Sequence, residues 1–353
     1  MFDDLTKGRE EDWGEVPGAF GMQLEGPRIV GSWSRGRVRL VGTHTYRVTR
    51  HRKREGGPSD ERYDYFTRLS AACDPPLVLG LRITPRGAVE RAAGDLFGSE
   101  PDIAVGHVAL DRALEIRGRE REHVAALLGE VASWRLLELL LAQPTFAVSD
   151  GGVDVELPGW VRDPARIRAA LEAAGSLAEH LLDRRRELPP SWEPSLQRAW
   201  GEIAAAWGIG FDAPRLRMQG AVRGRQVAIE TVAEGERLFT RVRIALAAAA
   251  GVKLGLSRQD GDGFFKRLFR GQDIATGDAA FDAAFVVRGE PEEAVRARLT
   301  PAARAQLLRL LAGDAGMEVK DGALLVSAPA PMLAAEALDA LLKLAFSAAE
   351  ALG

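Results

Sequence analysis

Cysteine is almost absent. Cys73 is the single one in 353 residues, so no intramolecular disulfide can form and nothing ties the chain to an oxidising compartment. Long apolar runs are missing as well. The richest, Ile244 to Leu254, is dominated by alanine, flanked by Arg243 and Lys253, and far short of the roughly 20 residues that span a bilayer. The start, Met1-Phe2-Asp3-Asp4-Leu5, is acidic and lacks the basic-then-apolar pattern of a signal peptide. A cytoplasmic location without a membrane span is therefore the expectation. Lysine is scarce, and nearly all basic residues are arginine, which beside the abundant alanine reflects coding bias rather than phosphate binding. A net charge of -3 gives no general attraction to nucleic acid or anionic lipid.

Catalytic signatures are missing too. The histidines His44, His51, His107, His123 and His180 form no pair with another His, Cys or acid at zinc-ligand spacing. None has a histidine counterpart in the repeat described below. The glycine-rich run Gly255 to Gly263 is followed by Phe264-Phe265, where a phosphate loop needs Lys-Ser/Thr opening a helix. Asp260 and Asp262 lack the closing acid of a calcium loop. No Gly-x-Ser-x-Gly occurs, and Cys73, beside Asp74-Pro75-Pro76, has no local base and reads as a small core residue. No catalytic, cofactor-binding or metal-ligating residue is expected, and the chain leans away from being an enzyme.

What the sequence does contain is a repeat. Gly106 to Gly118 (GHVALDRALEIRG) returns as Gly277 to Gly289 (GDAAFDAAFVVRG). The match extends without a gap from Asp102–Leu181 to Asp273–Leu352, with about 30 of roughly 80 positions identical. Shorter matches precede it: Trp13-Gly14-Glu15 with Trp200-Gly201-Glu202, Arg35-Gly36-Arg37 with Arg223-Gly224-Arg225, and Phe66-Thr67-Arg68 with Phe239-Thr240-Arg241. The domains expected are a disordered N-terminus at 1–12, repeat one at 13–184, a proline-rich linker at 185–195 and repeat two at 196–353.

Each repeat begins with period-two runs separated by glycine-rich turns, as in Arg225 to Thr231 and Thr240 to Leu246, which predicts an antiparallel meander of three to four strands. Thr300-Pro301 and Asp163-Pro164 read as helix starts. The leucines Leu136, Leu137, Leu139 and Leu140, and their counterparts Leu307, Leu308, Leu310 and Leu311, cover more than one face and predict a deeply buried helix. Asp150-Gly151 and Asp321-Gly322 read as hairpin turns needing positive φ. Leu338, Leu341, Leu342, Ala345 and Ala349 form the apolar stripe of a last helix. The fold class is α+β: two tandem homologous repeats, each an antiparallel β-meander plus helices and a β-hairpin.

Two sets of residues are candidates for function. The basic run Arg47, Arg50, His51, Arg52, Lys53 and Arg54 sits on a hairpin whose counterpart, Glu230 to Arg237, is acidic and about nine residues shorter. It is the candidate partner-binding site, for an acidic or protein partner. No aromatic residue interleaves with its charges as a single-strand nucleic-acid binder requires. The repeated polar residues Asp111, Arg117, Asp282, Arg288, Arg68 and Arg241 read as structural, each acid pairing with the arginine six residues on to fix the chain path.

Phe281-Asp282-x-x-Phe285-x-Val287, followed by Leu299-Thr300-Pro301, a leucine-rich helix and a hairpin, resembles a family of uncharacterised bacterial domains. That family shares a Phe-Asp/Glu-x-x-Phe-x-Val pattern and a Leu-Thr-Pro helix start. The resemblance is best over residues 264–327; the first copy has Gly129-Glu130 for Thr300-Pro301 and Leu110 and Leu114 for the phenylalanines. It implies the α+β fold and no catalytic residues. The function expected is a non-enzymatic binding or scaffold protein, contacting a macromolecule through the groove between repeats or the basic hairpin. The rivals are an enzyme built on Asp282, Arg241 and Arg288, and a weak nucleic-acid binder using Arg47 to Arg54.

Overall fold

The computed structural model describes residues 13, 16–19, 21–25, 28–33, 36–51, 60–86, 102–142, 145–234, 237–247, 253–258, 273–311, 316–329, 332 and 334–353. The chain forms two units. One comprises Met1–Pro190 with Ala233–Glu236, and the other is built from Ser191–Val232 and Arg237–Gly353.

In the first unit the elements run α1 (Val16–Ala19), β1 (Gln23–Glu25), β2 (Arg28–Trp33), β3 (Val38–His51), β4 (Asp60–Cys73), β5 (Arg82–Pro85), α2 (Val108–Ala113), β6 (Leu114–Arg117), α3 (Arg121–Leu127), α4 (Glu130–Ala142), β7 (Phe146–Ser149), β8 (Gly152–Pro158) and α5 (Pro164–Glu187). In the second they run α6 (Glu193–Trp207), β9 (Gly210–Asp212), β10 (Arg217–Val222), β11 (Arg225–Glu234), β12 (Arg237–Ala245), β13 (Lys253–Arg258), α7 (Ala279–Ala284), β14 (Phe285–Glu290), α8 (Glu292–Arg298), α9 (Pro301–Leu311), β15 (Gly316–Lys320), β16 (Ala323–Pro329) and α10 (Ala335–Ala351).

Each unit has one antiparallel 8-stranded sheet. The orders are β1-β2-β3-β4-β8-β7-β5-β6 and, read from the other edge, β9-β10-β11-β12-β16-β15-β13-β14. The two are the same topology: a four-stranded meander, into whose open side the late hairpin inserts. The last helix covers one sheet face. Ile167, Leu171, Ala174, Leu177, Ala178 and Leu181 of α5 recur at helical spacing and are fully buried. Leu338, Leu341, Leu342, Ala345 and Ala349 do the same on α10, as their spacing predicts. Caps fall where the sequence places them. Asp163 accepts from the Ala165 amide at 3.0 Å, and Thr300 Oγ1 from the Ala303 amide at 3.2 Å.

Two expectations need correction. The α4 helix is not deeply buried on all sides: Ala132, Ser133, Leu136 and Leu139 face the core, whereas Val131, Trp134 and Leu141 are exposed. One face is all that a helix beside a single sheet can bury. The Asp-Gly turns also differ. Asp321 and Gly322 take positive φ, of 51° and 68°, but in the first unit the positive φ falls at Gly152 and not at Asp150. Asp150 is instead drawn inward. Its carboxylate accepts amide hydrogens from Leu79 and Gly80 at 2.7 Å and from Leu81 at 3.2 Å. Among the described residues, no helix is long and apolar enough to cross a membrane.

Candidate partner-binding arm

The β3–β4 ladder is longer than the sheet it belongs to. It pairs from Val38 opposite Cys73 to His51 opposite Asp60. Its neighbours stop early: β2 pairs with β3 only as far as Thr43, and β8 pairs with β4 only from Phe66. Beyond those points, among the described residues, the two strands have only each other as ladder partners and form an arm, with the Gly159 amide donating to the Tyr65 carbonyl at its base at 2.7 Å. In the second unit the equivalent strands are 10 and 9 residues long against 14 and 14 here.

The arm's register changes the reading of the basic run. Arg47 stands opposite Asp64, Arg50 opposite Glu61 and His51 opposite Asp60. By register, then, basic positions of one strand alternate with acidic positions of the other across the ladder. Arg52, Lys53 and Arg54 lie outside the described residues. The register also brings tyrosines to the arm. Tyr46 pairs with Tyr65 and Val48 with Tyr63, at the register positions of the face that carries His44 and Thr67. These are all three tyrosines of the chain. The signal was a period of two on both strands, hidden because the aromatic residues of β4 lie beyond the basic run in sequence.

At its base the arm is anchored by an aromatic cluster. The fully buried Trp13 ring stacks on His44, with centroids 4.2 Å apart and planes at 19°. Trp160 approaches His44 at 5.7 Å and meets Tyr65 edge-on at 5.2 Å. Thr67 organises the polar side. Its hydroxyl donates to the Gly159 carbonyl at 3.0 Å, accepts from the Val161 amide at 2.8 Å, and lies 3.1 Å from His44 Nδ1. With its one proton committed to Gly159, the hydroxyl accepts from His44, which places a proton on Nδ1. Gly42 permits the stack, because a Cβ there would come within 2.6 Å of Ile29 and 3.0 Å of the Trp13 ring.

The repeated polar residues have structural partners, though not the ones the spacing suggests. Asp282 does not pair with Arg288, nor Asp111 with Arg117. Asp282 accepts from the Thr276 amide at 2.9 Å, the Thr276 hydroxyl at 2.7 Å and the Gly277 amide at 3.1 Å. Asp111 likewise accepts from the Val105 amide at 2.8 Å. Both acids sit in a short helix, where their side chains reach back to the preceding loop rather than forward along the strand. Burial acts to raise the Asp282 carboxyl, but the bonds from Thr276 and Gly277 and the nearby Arg304 outweigh it and hold the carboxyl below its usual value. Arg288 Nε donates to Asp273 at 2.9 Å, and Arg117 pairs with Glu115. Arg68 lies 3.4 Å from Glu156 in the facing strand; Arg241 stands opposite Ser327. Asp282 and Arg288 therefore serve separate local contacts.

Cys73 is buried, with its Sγ 3.9 Å from the Ala178 carbonyl, and burial followed by the charge of Asp150 pushes its thiol up to about 12. Such a thiol stays protonated and unreactive. Among the described residues, no group of three or more His, Cys, Asp or Glu could hold a metal ion.

No family model matches the chain, and no curated protein matches it. Among solved structures, the chain is similar to the crystal structure of the mycobacterial trehalose monomycolate transport factor A, TtfA, at 15% identity and a TM-score of 0.32. That match covers 45% of this chain and 94% of the other.

Proposed function

We propose that this chain is a non-enzymatic binding protein whose macromolecular partner, a protein or peptide, docks on the β3–β4 arm of the first unit. The observation that carries the reading is the ladder of Tyr46 to His51 opposite Asp60 to Tyr65, which extends past both neighbouring strands. Its register gathers the tyrosines on one face, and tyrosine supplies large contact area at low entropy cost. The enzyme reading loses support because Asp282 and Arg288 are engaged in local structural contacts. The nucleic-acid reading loses support because an acid stands opposite Arg47, Arg50 and His51.

The same proposal includes descent of the two units from a duplication, supported by their common strand order, and kinship of the second with the bacterial domains it resembles. Phe281 and Phe285 of that pattern meet at 4.8 Å in the core.

The test compares the full chain with a variant in which residues 47–64 are replaced by Asn-Gly, closing the ladder at Tyr46 opposite Tyr65. The expected result is that cross-links formed in native lysate map to the arm and vanish in the shortened variant, while its melting temperature is retained. Identical cross-links from both proteins would overturn the reading. A shift of labelled oligonucleotide at low salt, lost in the shortened variant, would transfer the arm to nucleic acid.

A further inference from the structure

Away from the arm, the first unit carries an exposed apolar surface with no counterpart among the described residues of the second. Of the six large apolar side chains exposed among the described residues, four lie on α2 and α4: Val108 at 66%, Val131 and Trp134 at 54%, and Leu141 at 79%. Val131, Trp134 and Leu141 are spaced i, i+3 and i+10 and fall on one side of α4. His107, which caps α2, sets its ring edge against Trp134 at 6.0 Å and so joins α2 to this surface.

The matched positions of the second unit are Ala279, Ala302, Ala305 and Ala312. Every large apolar residue of the patch is thus alanine in the other copy; Ala279, Ala302 and Ala305 lie on helices of the same place in the fold, and Ala312 lies outside the described residues. The difference is confined to the outer face. Leu136 and Leu139 inside are matched by Leu307 and Leu310, all buried. Folding therefore does not demand large side chains outside, and an exposed tryptophan set among aliphatic residues is the composition of a docking surface.

Charge says what occupies it. Glu130 and Glu138 are exposed one turn on either side of Trp134, and the second unit has Pro301 and the exposed Arg309 at those places. A second copy packed antiparallel about Trp134 would set Glu130 against Glu138 at both ends, acid on acid. We propose that the α2–α4 face of the first unit binds an amphipathic helix of another protein, one whose apolar stripe covers Val108, Val131, Trp134 and Leu141 and whose flanking residues are lysine or arginine. This is a second surface, independent of the arm.

The probe is a labelled amphipathic helical peptide of about five turns, with leucines at heptad spacing flanked by lysines, and a twin with glutamates for the lysines. Binding to the full chain is read by fluorescence anisotropy. The lysine-flanked peptide should bind, and its twin at least about tenfold more weakly. The double variant Val131→Ala and Trp134→Ala, which copies the residues of the second unit, should weaken binding about tenfold or more. Leu141→Ala should weaken it less, and both variants should melt like the parent. Failure of the lysine-flanked peptide to bind, equal binding by the twin, or equal binding by the double variant would overturn the proposal. Concentration-dependent dimers of the full chain that the double variant abolishes would overturn it too, and assign the face to a second copy.

Discussion

Thr67 and Thr240 hold the same place in their two sheets, and one alone has hydrogen-bond partners. Each pairs with the matching residue of the inserted hairpin, Thr67 with Leu157 and Thr240 with Ala328. The Thr67 hydroxyl bonds to Gly159, Val161 and His44, whereas the buried Thr240 hydroxyl has no partner among the described residues. The same substitution should then act with opposite signs. Thr67→Val leaves buried groups unpaired and should cost about 1–3 kcal/mol, while Thr240→Val removes an unpaired hydroxyl and should be neutral or stabilising. Urea unfolding of the two variants checks this; equal losses would refute it.

The aspartates of the two hairpin turns make a second contrast. Asp150 is buried, and its carboxylate is the acceptor for three backbone amides. Asp321 is exposed in a left-handed turn position. Asparagine at 150 would turn an NH2 toward at least one of those amides, so Asp150→Asn should lose about 2 kcal/mol in urea unfolding. Asp321→Asn should change stability by less than about 0.5 kcal/mol, because asparagine tolerates the left-handed region.

Acid should act selectively through Asp282. Its folded-state carboxyl titrates below its ordinary value of 3.8, so its contribution is present above that pH and is lost as pH falls through the lower folded value. Asp282→Asn should melt earlier than the parent near neutrality, by an amount equivalent to about 1 kcal/mol. The gap should close below about pH 4. Thermal melts between neutrality and strong acid give the measurement, and a gap that widened in acid would contradict the assignment.

Cys73 should be silent toward thiol reagents. With its thiol raised to about 12 and its sulfur buried, the native protein at mildly alkaline pH is expected to react only as fast as it opens. Ellman's reagent should titrate one thiol in denaturant and essentially none before it; prompt native labelling would show the site to be open.

Much of the fold was legible because the repeat repeats its own evidence. Period-two runs, the Thr300-Pro301 start and the α10 stripe each state a local rule that the packed sheet and helix also obey. The site was less legible, for two physical reasons. Cross-strand register decides what stands beside Arg47, and register depends on where the turn falls, which the basic run alone does not reveal. The spacing of Asp111 and Asp282 from Arg117 and Arg288 suggests pairing, yet each acid sits inside a six-residue helix that turns its side chain back to the preceding loop. The α4 face was missed because apolar residues on every side of a helix predict burial on every side, and Trp134 breaks that rule.

The arm has one more consequence. Past Thr43 and Phe66 its two strands have no further ladder partner among the described residues, so it is a two-stranded ribbon with a strand edge on either side. Open edges invite other strands, and alternating charge is a common guard against them. Arg47, Arg50, Glu61 and Asp64 stand where such a guard is needed. Concentrated salt, or neutral replacements at those positions, should therefore show first as aggregation, before any loss of the folded core.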